Sequence, residues 1–535
     1  MIKFFDFALN PVIKESEKLY YRKEGSMVSF CTYFNAIPAG KLKKYSAAEM
    51  IIIKAIVENE TVLKVKCTGS DDIIACCCTD SYSELIIRIS DVPDGSVLMY
   101  MTAEGGKLLS ASVYLSGTER YISAALITCT YKREEQLISN IRYLLEKSDE
   151  NDFDIIVSDN GSTLDENLFE CCRASVIRNI NNGGSGGYHA GMAEAVKRNK
   201  YTHFIIMDDD VLIEYCAIQK LLGFLRALKD EYSDLTVCGS MISLYEPCVQ
   251  FESGGFFSPD GMQTGRCYKN NISSTDGLLA DEEEKIINYA AWWLVCMPAG
   301  YAENGEYPAP FFIKYDDVEY SLRCKMKIIS LCGFGVWHED FGSKYNAVSA
   351  YFDTRNYLFL MKWHGENFNS LRAFRKALWM LTEKICRQQY SFAGAVIMGY
   401  RDYLKGEEFL ISPDNGSLLT EIAGYNISLY DDSELHKLYN VKYDDELYRI
   451  CSGVAFSRYM QFLLYGQTIP SVFCRKLSVT DVISDRKEHY FRADRVLHYS
   501  VNDRKGYVTK KSIIKTLYLL LKFIYIHIKF SGGRK

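Results

Sequence analysis

Three consecutive aspartates follow an apolar run and have the chemistry of a metal site. The segment HFIIMDDDV places Asp208, Asp209 and Asp210 directly after a strand-like stretch. Carboxylates crowded at a strand end repel one another unless a cation neutralises them, and the alternate residues Asp208 and Asp210 can reach one ion. Hard oxygen ligands select Mg²⁺ or Mn²⁺, and such an ion can stabilise a departing diphosphate. The alternative is an acidic strand end that only caps the next helix.

A second pair of carboxylates precedes a helical pattern. In PFFIKYDDVEYSLRC, Asp316 and Asp317 follow an aromatic run and open the predicted helix. A helix N-terminus favours negative charge, and a carboxylate placed there can act as a general base toward a hydroxyl group. The alternative is that Asp316 only caps this helix and Asp317 only stabilises its dipole.

A histidine and a glycine-rich loop are further candidates. His338, in GVWHEDF, ends a short apolar run and is a candidate metal ligand, although a lone histidine can equally be structural. The loop NINNGGSGGYHAGM contains Gly184 and precedes a helix expected from about Tyr188. Its glycines let the backbone approach a ligand closely, or they serve chain geometry alone. The loop lacks the P-loop lysine and the dinucleotide fingerprint, which argues against ATP hydrolysis and NAD binding.

Two adjacent tryptophans form the last candidate feature. Trp292 and Trp293 lie side by side in NYAAWWLVCMP. Rings of this type stack on the apolar faces of sugars. Core burial is the alternative and is favoured for at least one of the two.

The elements that must position these residues alternate between strands and helices from Tyr121 onward. ISAALITCTY, FDIIVSDNGST and HFIIMDDDV are predicted strands, and KREEQLISNIRYLLEK has helical periodicity. This alternation predicts a parallel, doubly wound sheet, in which ligands bind beyond the carboxyl ends of the strands. Those ends carry Arg133, Asp159 and the three aspartates. We therefore expect these side chains to converge at one edge of the sheet.

Two other regions flank this α/β domain, which we predict to span residues 121–365. Residues 1–120 alternate short apolar runs with turn residues and predict an all-β sandwich or barrel, of which we take the sandwich, whereas residues 366–535 are helical in character. Near the end, Lys515, Lys522 and Lys529 recur every seven residues within an apolar stretch. This pattern predicts a basic amphipathic helix lying on an anionic membrane surface. The alternative is a terminal helix packed on the protein or on a neighbouring subunit of a homo-oligomer.

Net charge and cysteine content indicate which binding partners and which cellular compartment to expect. The formal net charge of −6 argues against nucleic acid as a partner, because a phosphate-binding surface is normally basic. There are 18 cysteines, and no apolar stretch typical of a signal peptide follows the first residues. We therefore expect reduced thiols and a cytoplasmic protein at the inner face of the cell membrane.

Taken in order, several segments resemble the polymerising galactofuranosyltransferases of bacterial cell-wall galactan, a branch of family 2 glycosyltransferases. The segments are FCTYFNAIPAGKLKKYS, TCTYKRE, NNGGSGG, FIIMDDDV, WWLVCMP, PFFIKYDDVEYSLR, VWHEDFGSK and AYFDTRNYL. The resemblance implies an α/β GT-A catalytic domain, Rossmann-like with a mostly parallel sheet, between the β-sandwich and the helical region. It also implies UDP-galactofuranose as donor, a growing glycan or lipid-linked glycan as acceptor, and an inverting mechanism.

The resemblance also implies roles for individual residues. The divalent metal, Mn²⁺ or Mg²⁺, would be held by Asp208, Asp210 and His338. Asp317 would be the catalytic base, with Asp316 beside it. The residues implied to contact the donor are Arg133, Asp159, Gly184 and Asp209. Those implied to contact the acceptor are Trp292, Trp293 and Lys314.

The chain departs from the family pattern at three positions. Tyr315 and Phe341 stand where the family prefers Trp, and Asp353 stands where it prefers His. Because these positions lie near the sugars in the family, UDP-galactopyranose and dTDP-rhamnose are alternative donors. A non-catalytic, glycan-binding scaffold is the alternative from another class, and the intact metal and base positions argue against it.

Overall fold

The computed structural model describes residues 1–70, 72–150, 152–165, 167–169, 173–339, 346–411, 414–452, 464–482 and 486–531. These residues form two compact units. The first contains Met1–Ser258, Met262–Ala309 and Asp316–Glu339, and the second contains Pro259–Gly261, Pro310–Tyr315 and the chain from 340 onward. The first unit thus includes both the N-terminal β region and the α/β region. The three-domain boundaries stay a prediction, and Phe341 lies outside the described residues.

The N-terminal part of the first unit is the all-β region that the sequence predicts. Its strands are β1 (Ile2–Asp6), β2 (Arg22–Glu24), β3 (Met27–Ser29), β4 (Ala48–Cys67), β5 (Ile73–Thr79), β6 (Tyr82–Arg88) and β7 (Met99–Gly117), with one helix, α1 (Ala39–Tyr45). The strands pair antiparallel in one seven-stranded sheet, in which the long strands β4 and β7 are neighbours. In β4, Leu63, Val65 and Cys67 are buried, whereas the residues between them are partly exposed. This period of two is expected of a strand with one face on a core.

The α/β part of the first unit alternates strands and helices. Its first half comprises β8 (Ala124–Thr130), α2 (Glu134–Lys147), β9 (Phe153–Asp159), β10 (Ala174–Arg178), α3 (Gly183–Arg198), β11 (His203–Asp208), β12 (Leu212–Ile213) and α4 (Tyr215–Ala227). Its second half comprises β13 (Leu235–Ser243), β14 (Val249–Glu252), β15 (Gly255–Phe257), β16 (Gln263–Gly265), β17 (Asn270–Asn271), α5 (Thr275–Glu282), β18 (Leu294–Pro298), α6 (Gly300–Glu303), α7 (Asp316–Arg323) and β19 (Lys327–His338).

The strand order of this part confirms the predicted fold class. The main sheet runs β10-β9-β8-β11-β18-β13-β14-β17, with β19 paired to β13. Strands β10, β9, β8 and β11 are mutually parallel, whereas β18 is antiparallel to both of its neighbours. The parallel half carries nearly continuous apolar runs because it is covered on both faces. The domain is therefore of the Rossmann-like GT-A type that the sequence implies.

The second unit is mainly helical. Its helices are α8 (Ala347–His364), α9 (Ser370–Cys386), α10 (Tyr390–Lys405), α11 (Glu407–Ile411), α12 (Asn415–Ala423), α13 (Asp432–Tyr439), α14 (Asp445–Ser452), α15 (Lys487–Tyr490) and α16 (Ile513–Ser531). Helix α10 is largely buried and packs against α8, α9 and α16. A four-stranded sheet, which the helical expectation did not include, is formed by β20 (Tyr430–Asp431), β21 (Ser478–Asp481), β22 (Arg495–Ser500) and β23 (Lys505–Lys510).

Helix α16 has apolar residues around most of its circumference. Leu519 and Phe523 are buried, and Tyr400 of α10 shares a hydrogen bond of 2.8 Å with the ring of His527. On the remaining surface of the helix, large apolar side chains are exposed, namely Ile514, Leu517, Tyr518, Leu521, Ile524, Tyr525 and Ile528. Among the described residues, no helix has the combined length and apolarity needed to cross a bilayer.

Candidate functional site

The carboxyl ends of three parallel strands meet at one edge of the main sheet. Asp208 at the end of β11 pairs in register with Cys129 of β8, and Thr130 at the end of β8 pairs with Asp159 at the end of β9. Parallel pairing places these ends side by side. The predicted convergence of Asp159 and the aspartate run is therefore confirmed.

Two aspartates and a histidine form a cluster at this edge. His338 ends β19, and its Nε2 lies 3.2 Å from Asp210 Oδ1 and 4.0 Å from Asp208 Oδ2. One potential ligand atom from each of the three side chains lies within 4.8 Å of the others. The three residues proposed as metal ligands, which are distant in sequence, are thus brought together.

The chemistry of this cluster suits a divalent cation. His338 Nδ1 lies 2.6 Å from the carbonyl oxygen of Glu339, which can only accept a hydrogen bond, so Nδ1 carries a proton. Nε2 is therefore the ring nitrogen that faces the carboxylate oxygens and could serve as a metal ligand. Burial, together with the neighbouring charge of Asp210, raises the pKa of Asp208 to about 7, although His338 acts in the opposite direction. A hard cation with oxygen and imidazole ligands would relieve this crowding of acceptors.

Arg133 forms ion pairs with two carboxylates of the aspartate run. It directly precedes α2, and its guanidinium group lies 2.5 Å from Asp210 Oδ2 and 3.4 Å from Asp209 Oδ1. Asp209 is largely buried, and burial raises its pKa, whereas Arg133 is half exposed. The exposed cation beside the cluster has the charge required to contact a diphosphate. Its role, and that of Asp209, in donor binding stays a prediction.

The second pair of carboxylates begins α7, as the sequence predicts. Ser185 of α3 donates a hydrogen bond of 2.9 Å to Asp316 Oδ2, and Asp317 Oδ1 accepts one of 2.8 Å from the backbone N–H of Val318. Asp317 therefore engages its own helix terminus, a contact that the alternative had given to Asp316, and it remains partly exposed. The contact with the helix terminus and a role as general base are compatible, because a carboxylate has further lone pairs that can accept a proton.

A buried glutamate near Asp317 was missed by the sequence analysis. Glu252 ends β14, and burial raises its pKa to about 8, with a further contribution from the charge of Asp317 and an opposing hydrogen bond from Tyr289. Two carboxyl groups that interact electrostatically are typical of sites that handle protons. A single glutamate in FESGG follows no pattern that would have identified it.

Asp159 has a different environment from the one predicted. The side chain is buried, with Oδ1 accepting from the N–H of Gly161 at 2.9 Å and Oδ2 accepting from the N–H of Leu164 at 2.8 Å. Both oxygens therefore hold the loop that follows β9. The predicted contact of Asp159 with the donor stays a prediction.

The glycine-rich segment is helical earlier than predicted. Helix α3 begins at Gly183 rather than near Tyr188, so Gly184 lies in its first turn. A Cβ atom added at Gly187 would lie 2.0 Å from Cys129 Sγ, and one added at Gly191 would lie 2.3 Å from Ile127 Cγ2. These two glycines let α3 approach β8 closely, so the chain-geometry alternative holds for them. The ligand role of Gly184 stays a prediction.

The two tryptophans are core residues. Trp292 is 5% exposed and packs edge-on against Tyr188 and Tyr320, and Trp293 is 7% exposed and donates from Nε1 to the carbonyl of Gly239 at 2.9 Å. Core burial, expected for at least one ring, therefore applies to both. So little ring surface remains that the predicted stacking on a sugar is not supported by this structure.

Lys314 belongs to the second unit. It has a positive φ of 70°, and Asn356 of α8 holds its turn by donating to the carbonyls of Ile313 and Lys314 at 2.7 and 3.1 Å. Its predicted contact with the acceptor stays a prediction.

Comparison with known proteins identifies the family of the α/β domain. Residues 125–270 match the model of glycosyl transferase family 2. The chain is 27% identical to the galactofuranosyltransferase GlfT2 of Mycolicibacterium smegmatis over 429 residues, which cover 72% of this chain and 65% of that protein. It is 26% identical to GlfT2 of Mycobacterium tuberculosis over 428 residues, which cover 72% of this chain and 66% of that protein. The matched region thus spans just under two thirds of the length of either relative.

Among solved structures, a fragment of S. aureus TarS in complex with UDP-GlcNAc is similar at 13% identity, with a TM-score of 0.34. That likeness covers 53% of this chain and 81% of the fragment. The assignment therefore rests on the strand order, the family match and the two relatives. The chain carries a glycosyl transferase family 2 domain of GT-A type and resembles galactofuranosyltransferases over most of its length.

Proposed function

We propose that the protein is an inverting, metal-dependent glycosyltransferase that moves galactofuranose from UDP-galactofuranose to a growing cell-surface polysaccharide or glycolipid. The observation that carries this proposal is the cluster of Asp208, Asp210 and His338 at the edge of a family 2 domain. The similarity to two galactofuranosyltransferases supports the choice of donor sugar.

The residues of this edge have separate tasks in the proposed reaction. Asp208, Asp210 and His338 hold Mn²⁺ or Mg²⁺, and the chemistry that the bound ion supplies is neutralisation of charge on the leaving diphosphate. Arg133 adds a guanidinium group to the same side. Asp317 accepts the proton of the acceptor hydroxyl.

The bonds of the proposed transfer balance in a single displacement. The acceptor oxygen forms a bond to the anomeric carbon as the bond between that carbon and the diphosphate oxygen breaks. The proton of the acceptor passes to Asp317, and UDP leaves with the bonding electrons. Because attack and departure occur on opposite faces, the anomeric configuration inverts.

A comparison of donors tests the proposal. Purified protein with Mn²⁺ and a galactan fragment would be incubated with UDP-galactofuranose, UDP-galactopyranose or dTDP-rhamnose, and products analysed by mass and linkage. We expect transfer from UDP-galactofuranose at the highest kcat/KM. Transfer from another donor alone would overturn the choice of sugar, and no turnover of any donor would favour a non-catalytic scaffold.

We also propose that the protein lies at the inner face of the cell membrane through α16. Its exposed apolar side chains are accompanied by Lys515, Lys522 and Lys529, and the helix contains no acidic residue. Apolar surface combined with lysines suits an anionic lipid surface.

Sedimentation with vesicles tests this location. Binding to vesicles rich in anionic lipid should exceed binding to neutral vesicles and should fall in Lys522→Glu. The matched control is Lys437→Glu on α13, an exposed lysine of the same unit. Self-association of the protein without vesicle binding would instead assign this surface to a second copy of the chain.

A further inference from the structure

One face of α3 contacts both carboxylate clusters of the site. Ser185 donates to Asp316 Oδ2 at 2.9 Å, and Tyr188 donates to Asp208 Oδ1 at 2.8 Å and approaches the carbonyl of Met207 at 3.3 Å. Residues three apart lie on the same face of a helix. A single rigid element therefore touches Asp208 at the end of β11 and Asp316 at the start of α7.

Both donors on α3 are buried and have fixed surroundings. Ser185 is 1% exposed, and Tyr188 is 4% exposed with its ring edge-on against Trp292. A carboxylate oxygen can only accept a hydrogen bond, so the Tyr188 hydroxyl is the donor to Asp208. The hydrogen bonds are therefore oriented by the packing of the helix.

The contact of Tyr188 constrains Asp208 in a specific way. The hydroxyl engages Oδ1, whereas Oδ2 is the oxygen that lies 4.0 Å from His338 Nε2. Fixing one carboxylate oxygen limits rotation of the group, so the other oxygen keeps its direction toward the cluster. Partners of this kind behind a metal ligand typically change metal affinity by about 10–100-fold when removed.

We propose that Ser185 and Tyr188 are positioning residues, through which α3 sets the geometry of the metal ligand Asp208 relative to the Asp316–Asp317 pair. This inference rests on the proposed function. The sequence identified the site by its aspartates and a histidine, and that pattern contains neither a serine nor a tyrosine. Both act through a carboxylate and are not themselves ligands or bases.

Metal binding tests the role of Tyr188 separately from turnover. Mn²⁺ binding would be measured by EPR in the presence of UDP for the wild type, Tyr188→Phe and Tyr20→Phe. Tyr20 is the matched control, because it is also buried and its hydroxyl donates to a carboxylate, Glu214 Oε2, at 3.0 Å outside the site. We expect the Kd for Mn²⁺ to rise about tenfold in Tyr188→Phe and to be unchanged in Tyr20→Phe. Thermal unfolding reports the loss of stability that both variants share.

Ser185→Ala provides a second test and remains decisive if Tyr188→Phe does not fold. Because Ser185 contacts Asp316 and not the metal cluster, this variant should keep the wild-type Kd for Mn²⁺ while kcat falls several-fold at unchanged donor KM. Unchanged kcat in Ser185→Ala would overturn its positioning role.

The outcomes separate this inference from the proposed function. Wild-type Mn²⁺ binding that is retained unchanged in Tyr188→Phe would overturn the role of Tyr188 and leave the transferase proposal standing. Absence of Mn²⁺ binding in the wild type would overturn the metal site itself, and this inference with it.

Discussion

Adding one methyl group to α3 should displace the helix that contacts the site. In Gly187→Ala, the new Cβ would lie 2.0 Å from Cys129 Sγ and 2.9 Å from Cys129 Cβ. Even if the thiol rotates away, a favourable carbon–carbon distance of about 3.5–4.0 Å requires α3 to retreat by about 0.6–1.1 Å. The hydrogen bond of 2.8 Å from Tyr188 to Asp208 would then lengthen to about 3.4–3.9 Å, where little of it remains.

This displacement predicts two measurable losses. Overpacking of this kind costs about 1–3 kcal/mol of folding free energy, which denaturant unfolding measures. The Kd for Mn²⁺ should rise about tenfold because Asp208 loses its fixed direction. The matched control is Gly300→Ala in α6, where an added Cβ meets no atom within 4 Å. That variant should change neither quantity appreciably.

A second substitution refines the test. In Gly187→Ala combined with Cys129→Ala, the thiol is removed, whereas the contacts of 2.9 Å with Cβ at position 129 and of 3.1 Å with Asn160 Nδ2 remain. Stability should therefore recover in part, whereas the Kd for Mn²⁺ should stay raised, because the close approach of the two Cβ atoms still displaces α3. Wild-type Mn²⁺ affinity in Gly187→Ala, despite a measured loss of stability, would refute the argument that the position of α3 controls Asp208.

Four further predictions concern the base, metal binding, the pH dependence of stability and the core. Asp317→Asn should lower kcat by about 10²–10⁴-fold in a UDP-release assay with an acceptor, while Mn²⁺ binding is retained, because only proton acceptance is lost. Mn²⁺ affinity should weaken by up to about tenfold per pH unit below 7, because the ion must displace a proton from Asp208, whose pKa is raised to about 7. Since this folded-state pKa lies above the ordinary value, metal-free stability should fall as the pH rises from about 4 to 7. Lys41→Met should destabilise the protein by about 3–5 kcal/mol in denaturant unfolding, because it leaves Glu282 buried without the ion pair of 2.8 Å.

Matched variants control two of these predictions. Asp276→Asn changes an exposed aspartate in the first turn of α5 and should leave turnover unchanged. Lys43→Met removes an ion pair with the exposed Asp94 and should destabilise the protein far less than Lys41→Met. Equal turnover in Asp317→Asn and wild type would contradict the role of Asp317 as base. Mn²⁺ affinity that is independent of pH between 5 and 8 would contradict displacement of a proton from Asp208. Equal stability of the two lysine variants would contradict the argument from the buried ion pair.

The parallel half of the sheet and its edge were predictable from the sequence. Long apolar runs ending in polar residues identify β8, β9 and β11, and parallel pairing then requires Asp159 and Asp208 to lie at one edge. From its own segment, His338 was a candidate metal ligand with a structural role as the alternative, and the resemblance to a family pattern favoured the metal ligand. Its approach to Asp210 depends on the pairing of β19 with β13, which no local periodicity reveals.

Other features depend on tertiary packing that the sequence does not display. Gly183–Gly187 reads as a loop because glycine is a poor helix former, yet packing on β8 stabilises helix there. Trp292 resembles a sugar-stacking residue by type, but the core around Tyr188 and Tyr320 encloses it. Glu252 acquires its raised pKa from burial near Asp317, which is distant in the chain.

The central claim is that a divalent cation held by Asp208, Asp210 and His338 is required for sugar transfer. The most direct measurement is the rate of UDP release from UDP-galactofuranose by protein first treated with EDTA, before and after addition of Mn²⁺. We predict that Mn²⁺ restores turnover to the wild type and not to His338→Gln or Asp210→Asn. Full turnover in EDTA, or equal restoration in these variants, would contradict the claim.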